Sequence, residues 1–476
     1  MTTGRSPVVS AASARRRMHA SFIVCALFAA AWPWVAPAQD ILSPLGEQAR
    51  RPSQASDLAS RHARPPPKPE TAISAVHVAP ELTLRDALSL ALQRNPDLAA
   101  LGIERSATEA ALLQAGALPN PILEMTGDNL RNARKAEAGD RSTTIQIGQL
   151  IELGGKRAVR VRAAEAGRDL ANWDYEVKRI EIMSLVAQRF VDVLAAQQRQ
   201  MLAEEAVALA RQVSNAVARR VQAGKVSPVE ETKARLTQAS AEVELEQARR
   251  EGISARGTLG ALWADPSPRF AKAIGDLEKT LSLPAYEQLA ERIRNNPELA
   301  RWSSEIARRQ AGVDAEKAKS VPDLMVNAGV TRFNQFDDRA YTIGISLPLP
   351  LFNRNRGGIL EAGRRLDKAA DELRAAEGRV LADLTRAYQR LAAIEKEIGT
   401  LRTILLPGAQ SAFDAATKGY QLGKFGFLEV LDAQRTLFQT RTQNLRALAD
   451  YQRGVSEIER LVGGPLDGSP NTMNRQ

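Results

Sequence analysis

The feature that most constrains this chain is a change of period that it makes twice. In YTIGISLPLPLFNRNRGG, Tyr341 to Gly358, the residues Ile343, Ile345 and Leu347 alternate with Thr342, Gly344 and Ser346. That is the period of a strand with two unlike faces, and Pro348 and Pro350 then remove the donors a ladder needs. From Ile359 onward, ILEAGRRLDKAADELRAAEGRVLADLTRAY places apolar residues three and four apart among strong helix formers, which predicts a long helix. About 200 residues earlier TTIQIGQLIELGGKRAVRVRAAEAGRDLA makes the same change, with Ile145 and Ile147 in alternation and Gly154-Gly155 opening the helix. Asn95-Pro96-Asp97-Leu98 answers Asn296-Pro297-Glu298-Leu299 at a spacing of 201, and Pro121 answers Pro322 at the same spacing. The chain reads as a tandem duplication, with units at 81–266 and 281–464.

Each unit opens with short helices; in the first, Leu84, Leu88 and Leu92 mark one that Asn95-Pro96 ends, and a second runs on to Leu118-Pro119. Two strand-like runs follow around a polar loop, at about 121–130 and 142–153 in the first unit and about 322–333 and 340–349 in the second. Runs of about ten residues suit a tilted strand across an outer membrane. Four strands cannot close a barrel, and an open sheet in lipid would leave its edge amides without partners, so membrane-spanning strands would require several chains to share one barrel. Two solvated hairpins of a soluble α+β domain fit the same runs.

A helical stretch from about Arg157 to Gln222 then runs without proline, with Val186, Phe190 and Val193 at coiled-coil spacing. At 1.5 Å per residue this is a rod of about 90 to 100 Å. It turns at Ala223-Gly224-Lys225-Val226-Ser227-Pro228 and returns to Asp265-Pro266. In the second unit Pro407 is expected to break the rod, and the turn falls at Leu422-Gly423-Lys424-Phe425-Gly426-Phe427 before a helix that ends at Gly463-Gly464-Pro465. Residues 465–476 form a C-terminal tail.

Chemistry is constrained by what is missing. The sequence contains three histidines, His19, His62 and His77, and one cysteine, Cys25, all before the first unit. Most acid–base, nucleophilic and thiolate-metal mechanisms are thereby removed, and no GxGxxG, Walker-type, GxSxG or HExxH pattern is present. Neither an enzyme nor a cofactor is expected. Arg15-Arg16-Arg17, the apolar run from Ala20 to Val35 and Ala36-Pro37-Ala38 compose a secretory signal peptide over residues 1–38. Met18 is an alternative start, although it would forfeit those arginines; a transmembrane anchor suits the run less well, being short and holding Pro33. Phe22-Ile23-Val24 before Cys25 do not make a lipoprotein signal, so the mature chain is expected to begin at Gln39 without an acyl group. Residues 39–80, with Pro65-Pro66-Pro67 and Pro69, read as an extended linker. Removing the leader leaves 61 basic against 55 acidic residues, a modest excess that suits solvated helix faces and gives no reason to expect nucleic-acid binding.

Helix, strand pair and long helical hairpin, repeated behind a signal peptide, resemble the TolC-type outer membrane efflux proteins over residues 82–463. SLPLPLFNRNRGGILEA and the paired turns QAGKVSPVEETKAR and YQLGKFGFLEVLDAQR carry the resemblance, and ELGGKRAVRVRAAEA resembles the heavy-metal branch. The resemblance implies a mostly helical α+β fold and a homotrimer. Four strands per chain would make a twelve-stranded barrel in outer membrane lipid, and the helical hairpins a periplasmic α-barrel. It further implies an exit duct served by a periplasmic adaptor, the membrane fusion protein, and an inner membrane RND-type pump, with metal cations or small toxic compounds as cargo. Gly224, Lys225, Gly423 and Lys424 match the tips that meet the adaptor, although glycines there would end helices in any case. Tyr420, Glu429 and Asp432 match the residues that constrict the tunnel entrance, with Glu230 as an acidic partner on the other hairpin. Three chains would gather six carboxylates from Glu429 and Asp432, a ring that favours cations; ordinary solvated acids are the alternative. Phe425 departs from the basic residue often found there. A soluble periplasmic coiled-coil adaptor or scaffold is the rival reading, and it leaves the hairpins without a purpose.

Overall fold

The computed structural model describes residues 81–128, 142–333 and 338–466. The expected signal peptide, linker, Cys25 and the histidines lie outside the described residues, as does the C-terminal tail beyond Leu466.

The chain begins with β1 (Glu81–Thr83), α1 (Leu84–Arg94) and α2 (Pro96–Ala115). It continues through β2 (Ile122–Asp128) and β3 (Ser142–Ile151) into α3 (Lys156–Gln222) and α4 (Pro228–Gly260). A short strand β4 (Lys272–Ile274) and helix α5 (Tyr286–Arg292) lead to α6 (Pro297–Lys319), β5 (Leu324–Phe333) and β6 (Asp338–Ser346). The remainder is α7 (Arg356–Thr400), α8 (Leu406–Gln421) and α9 (Phe427–Val462). α2 stops at Ala115, three residues before the expected Leu118, and β6 runs two residues earlier and three shorter at its end than its alternation suggests. Pro348 is the reason for the second difference, since strand pairing ceases before a residue that cannot donate.

The expected break at Pro407 is corrected by the structure. Leu401–Leu405 form a π-helical turn that joins α7 to α8, and the backbone stays right-handed helical through Leu406. A wider turn moves the carbonyls that the proline ring would strike, so the rod continues with one locally looser turn.

β2, β3, β5 and β6 form one antiparallel sheet in that order. The register sorts its side chains by face, because directly opposed residues share a side. Leu123, Ile147, Ala328 and Ile343 make one row and Met125, Ile145, Val330 and Tyr341 the next. This apolar face is open: Ile343 and Tyr341 are each 82% exposed. The opposite face carries Glu124, Gln146, Gly329 and Thr342, then Thr126, Thr144, Thr331 and Ala340. Its side chains bond across the strands, Gln146 Nε2 to Glu124 Oε2 at 2.6 Å and Thr144 Oγ1 with Thr331 Oγ1 at 3.0 Å. β2 and β6 pair on one side only.

Both strand-to-helix junctions are tied to the segment around the end of α6. Asn355, with φ of 55°, precedes α7 and donates from Nδ2 to the Glu316 carbonyl and carboxylate at 2.8 and 2.7 Å. A Cβ on Gly358 would lie 2.5 Å from Asn355 Oδ1, which explains a glycine in NRNRGG. At the other junction Lys156 Nζ and the Leu153 amide both meet Asp323, at 2.7 and 3.1 Å. The main core lies where α1, the middle of α3, α7 and α9 meet the parallel pair β1–β4, around Val186, Phe190, Trp263, Leu384, Leu391 and Tyr451. Asn95 and Asn296 are both buried there. Each caps the helix that its following proline opens, and each donates from Nδ2 to a distant helix-end carbonyl, Leu262 at 2.9 Å and Leu461 at 2.8 Å.

Candidate functional site

The two helical hairpins reverse by the same bonds. At the first turn the Gly224 amide donates to the Val221 carbonyl and the Lys225 amide to the Arg220 carbonyl, both at 2.9 Å. At the second, Gly423 donates to Tyr420 at 3.1 Å and Lys424 to Gly419 at 2.8 Å. Both are Schellman endings, which satisfy two orphan carbonyls and require a left-handed residue; Gly224 and Gly423 supply φ of 67° and 72°. Ser227 and Pro228 then start α4, the Ser227 side chain accepting from the Val229 amide, whereas α9 starts after Gly426 without a side-chain cap. Lys225 and Lys424 are exposed beside these turns.

Tyr420 connects the hairpins. Its ring lies against Phe427, with centroids 5.8 Å apart, in a cluster with Val217 and Ala234 of α3 and α4. The Arg220 guanidinium stands 4.3 Å from the Tyr420 ring centre, and its Nη1 donates to the Tyr420 carbonyl at 3.3 Å. The Tyr420 hydroxyl donates to Glu230 Oε2 across 3.5 Å, a long and weak bond. Burial pushes the Tyr420 hydroxyl above its ordinary range, with Glu230 adding to the effect and the Arg220 charge opposing it, so it is a neutral donor. Of the expected entrance residues, then, the fold joins Tyr420 and Glu230 directly.

Glu429 and Asp432 are both exposed and three residues apart on α9. Glu429 folds back over the N-terminus of its helix, its Oε2 2.8 Å from where a Cβ on Gly426 would stand, a position the helix dipole favours for an acid. Asp432 lines a groove of about 1120 Å³ between α3, α4 and α9, together with Glu244, Arg199, Arg435 and Arg446. Phe425 is half exposed, and its ring covers Gly419 so closely that a Cβ there would fall 2.1 Å from it. The sequence reading missed Arg220 and Arg435. Basic residues in a last helical turn are what any helix end favours, so nothing in the spacing singled out Arg220. Among the described residues no helix is long and apolar enough to cross a membrane, and no three His, Cys, Asp or Glu side chains converge as a metal site.

A four-stranded sheet with a bare apolar face, joined to paired helical hairpins, defines the channel class that spans the outer membrane and extends into the periplasm. Residues 87–265 and 289–464 each match the family described as outer membrane efflux protein, and the chain belongs to that family. The cobalt-zinc-cadmium resistance protein CzcC of Cupriavidus metallidurans is 42% identical over 382 residues, covering 80% of this chain and 90% of that protein. The nickel-cobalt-cadmium resistance protein NccC of Alcaligenes xylosoxydans is 28% identical over 312 residues, 65% of this chain and 69% of that one. The crystal structure of CusC, 19% identical, covers 80% of this chain and 92% of that chain with a TM-score of 0.69. The protein is thus an outer membrane efflux channel, a transport component, and the soluble scaffold reading is not favoured.

Proposed function

We propose that this chain is one third of a trimeric exit duct that passes divalent metal cations from a periplasmic adaptor and an RND-type inner membrane pump to the exterior. The observation that carries the trimer is the sheet: an apolar face, a polar hydrogen-bonded face and two edges that pair on one side only. In lipid each open edge would lose its hydrogen bonds at several kcal/mol per group, so β6 of one chain must meet β2 of another. Three such sheets make twelve strands, apolar rows toward lipid and Glu124, Gln146 and Thr144 toward the lumen. The similar positions of Asn95 and Asn296, and of Gly224 and Gly423, support two copies of one unit, and the match of one family to two consecutive segments supports it further. Metal cargo is supported by the resistance proteins among the relatives.

The turns at Gly224-Lys225 and Gly423-Lys424 are the tips offered to the adaptor, and Tyr420, Glu230, Glu429 and Asp432 form the entrance. Six carboxylates from Glu429 and Asp432 in one mouth create a field that draws cations and repels anions. Planar bilayer recordings test this: Glu429→Ala with Asp432→Ala should lower cation preference and weaken block by cobalt or zinc ions while three chains still assemble. Unchanged selectivity and block would return both acids to the solvated helix face.

A further inference from the structure

We propose that Glu124 sets the ion selectivity of the outer membrane barrel, a second cation-selecting point far from the mouth formed by Glu429 and Asp432. This role rests on the barrel reading above, since only that reading turns the polar face of the sheet toward a lumen. Glu124 stands on that face in the row Glu124, Gln146, Gly329 and Thr342, near the middle of β3. Its carboxylate accepts from Gln146 Nε2 at 2.6 Å. The donor is a neutral amide, so it orients the carboxylate without cancelling its charge. On the far side of Gln146, a Cβ at Gly329 would lie 2.7 Å from the Gln146 Cβ, so the glycine is what lets Gln146 occupy this row. The Glu124 side chain is exposed.

Charge on the sheet is sorted by face. Among the described residues of the four strands, the polar face carries Glu124, Asp128 and Asp338 and no base, whereas Arg332 and Arg339 both stand on the apolar face. In the barrel, β2 meets β6 of another chain, whose polar face holds Asp338, Ala340, Thr342, Gly344 and Ser346. None of these is basic, so no register of that seam sets a cation from β6 beside Glu124. Twelve strands about 4.8 Å apart and tilted by about 40° enclose a cylinder roughly 24 Å across at the backbone. Inward side chains leave an open radius of roughly 7 Å, less than the Debye length of about 10 Å at 0.1 M salt, so the field of the wall reaches the axis. Lipid around the barrel is a poor dielectric and focuses that field into the lumen. The entrance lacks this sorting, since Asp432 shares its groove with Arg199, Arg435 and Arg446.

The test uses the full-length channel in planar bilayers, where the reversal potential in a potassium chloride gradient gives the ratio of cation to anion permeability. Three carboxylates about 8 Å from the axis should bias that ratio roughly tenfold at about 0.1 M salt. Glu124→Gln should remove most of the bias, Glu124→Asp should keep most of it, and Glu124→Lys should turn the preference toward anions. The differences should shrink toward none at about 1 M salt, where the Debye length is about 3 Å. Adding Glu124→Gln to the Glu429→Ala, Asp432→Ala channel should lower its ratio further, because the barrel and the mouth act at separate points. An unchanged ratio in Glu124→Gln at low salt would overturn the assignment, as would a change that persists at high salt or a loss in Glu124→Asp as large as that in Glu124→Gln. Wild-type protein that forms no conducting channel would overturn the barrel reading itself, whereas conducting channels indifferent to Glu124 would overturn this role alone.

Discussion

Asn296 shows how much can rest on one buried amide. Its Oδ1 accepts from the Glu298 amide at 2.7 Å and caps α6, while its Nδ2 donates to the Leu461 carbonyl and fixes the end of α9. Asn296→Ala removes a cap worth about 1 kcal/mol and leaves a carbonyl unsatisfied at about 1–3 kcal/mol, so a loss of roughly 2–4 kcal/mol is expected in denaturant titration of the extracted protein. Asn296→Asp keeps the cap but sets a carboxylate oxygen against the buried Leu461 carbonyl, so it should cost at least as much as alanine; a clearly smaller loss would show that the bond to Leu461 contributes little. Glu305 on α6 gives a pH signature. Burial opposes its charge, but Arg308 and Arg309, at 3.0 and 2.7 Å, outweigh burial and hold the carboxyl below the ordinary value of 4.5. A depressed carboxylate contributes stability above its unfolded pKa and loses it as pH falls through the folded one. Melting temperature should therefore drop on acidification below about pH 4.5, and Glu305→Gln should shallow that slope. Identical slopes in the two proteins would remove Glu305 from the account.

At the level of elements, legibility followed the strength of the period. α3 was anticipated to within a residue because sixty-seven residues keep one pattern, and the alternation of Ile343 and Ile345 placed β6 and its two faces. β1 and β4 were not legible, being three residues each and held in parallel across a long separation by packing alone. The π turn before Pro407 is not legible, because a missing donor says where strain arises and not how the neighbouring turn absorbs it. In the candidate site, Gly224 and Gly423 were legible from turn chemistry, whereas the stacking of Arg220 on Tyr420 depends on two hairpins meeting in space. The turns make a test of their own. A Cβ at Gly224 or Gly423 meets no atom within 4 Å, so alanine there incurs only the left-handed backbone cost, about 1–2 kcal/mol each. The double substitution should speed hydrogen exchange at the Lys225 and Lys424 amides and weaken adaptor capture, with the sheet unaffected. Exchange at wild-type rates would mean the Schellman endings do not hold the tips.

For the whole molecule, function follows from a surface that one chain cannot satisfy. The fold hides a core at the crossing of α3, α7 and α9, yet leaves Leu123, Met125, Ile343 and Ile345 bare on a sheet with unpaired outer edges. On the proposed reading, lipid covers the first and neighbouring copies the second. Together they would convert a helical hairpin protein into a wall, with the proposed acidic mouth at one end and an outlet at the other. The claim that three chains share one barrel is tested most directly by native mass spectrometry of the channel extracted from outer membrane fractions, followed by reconstitution of the same particle into a planar bilayer. Three chains per particle and a steady ionic conductance are the predicted result; a single chain recovered from the soluble periplasm, without conductance, would contradict it.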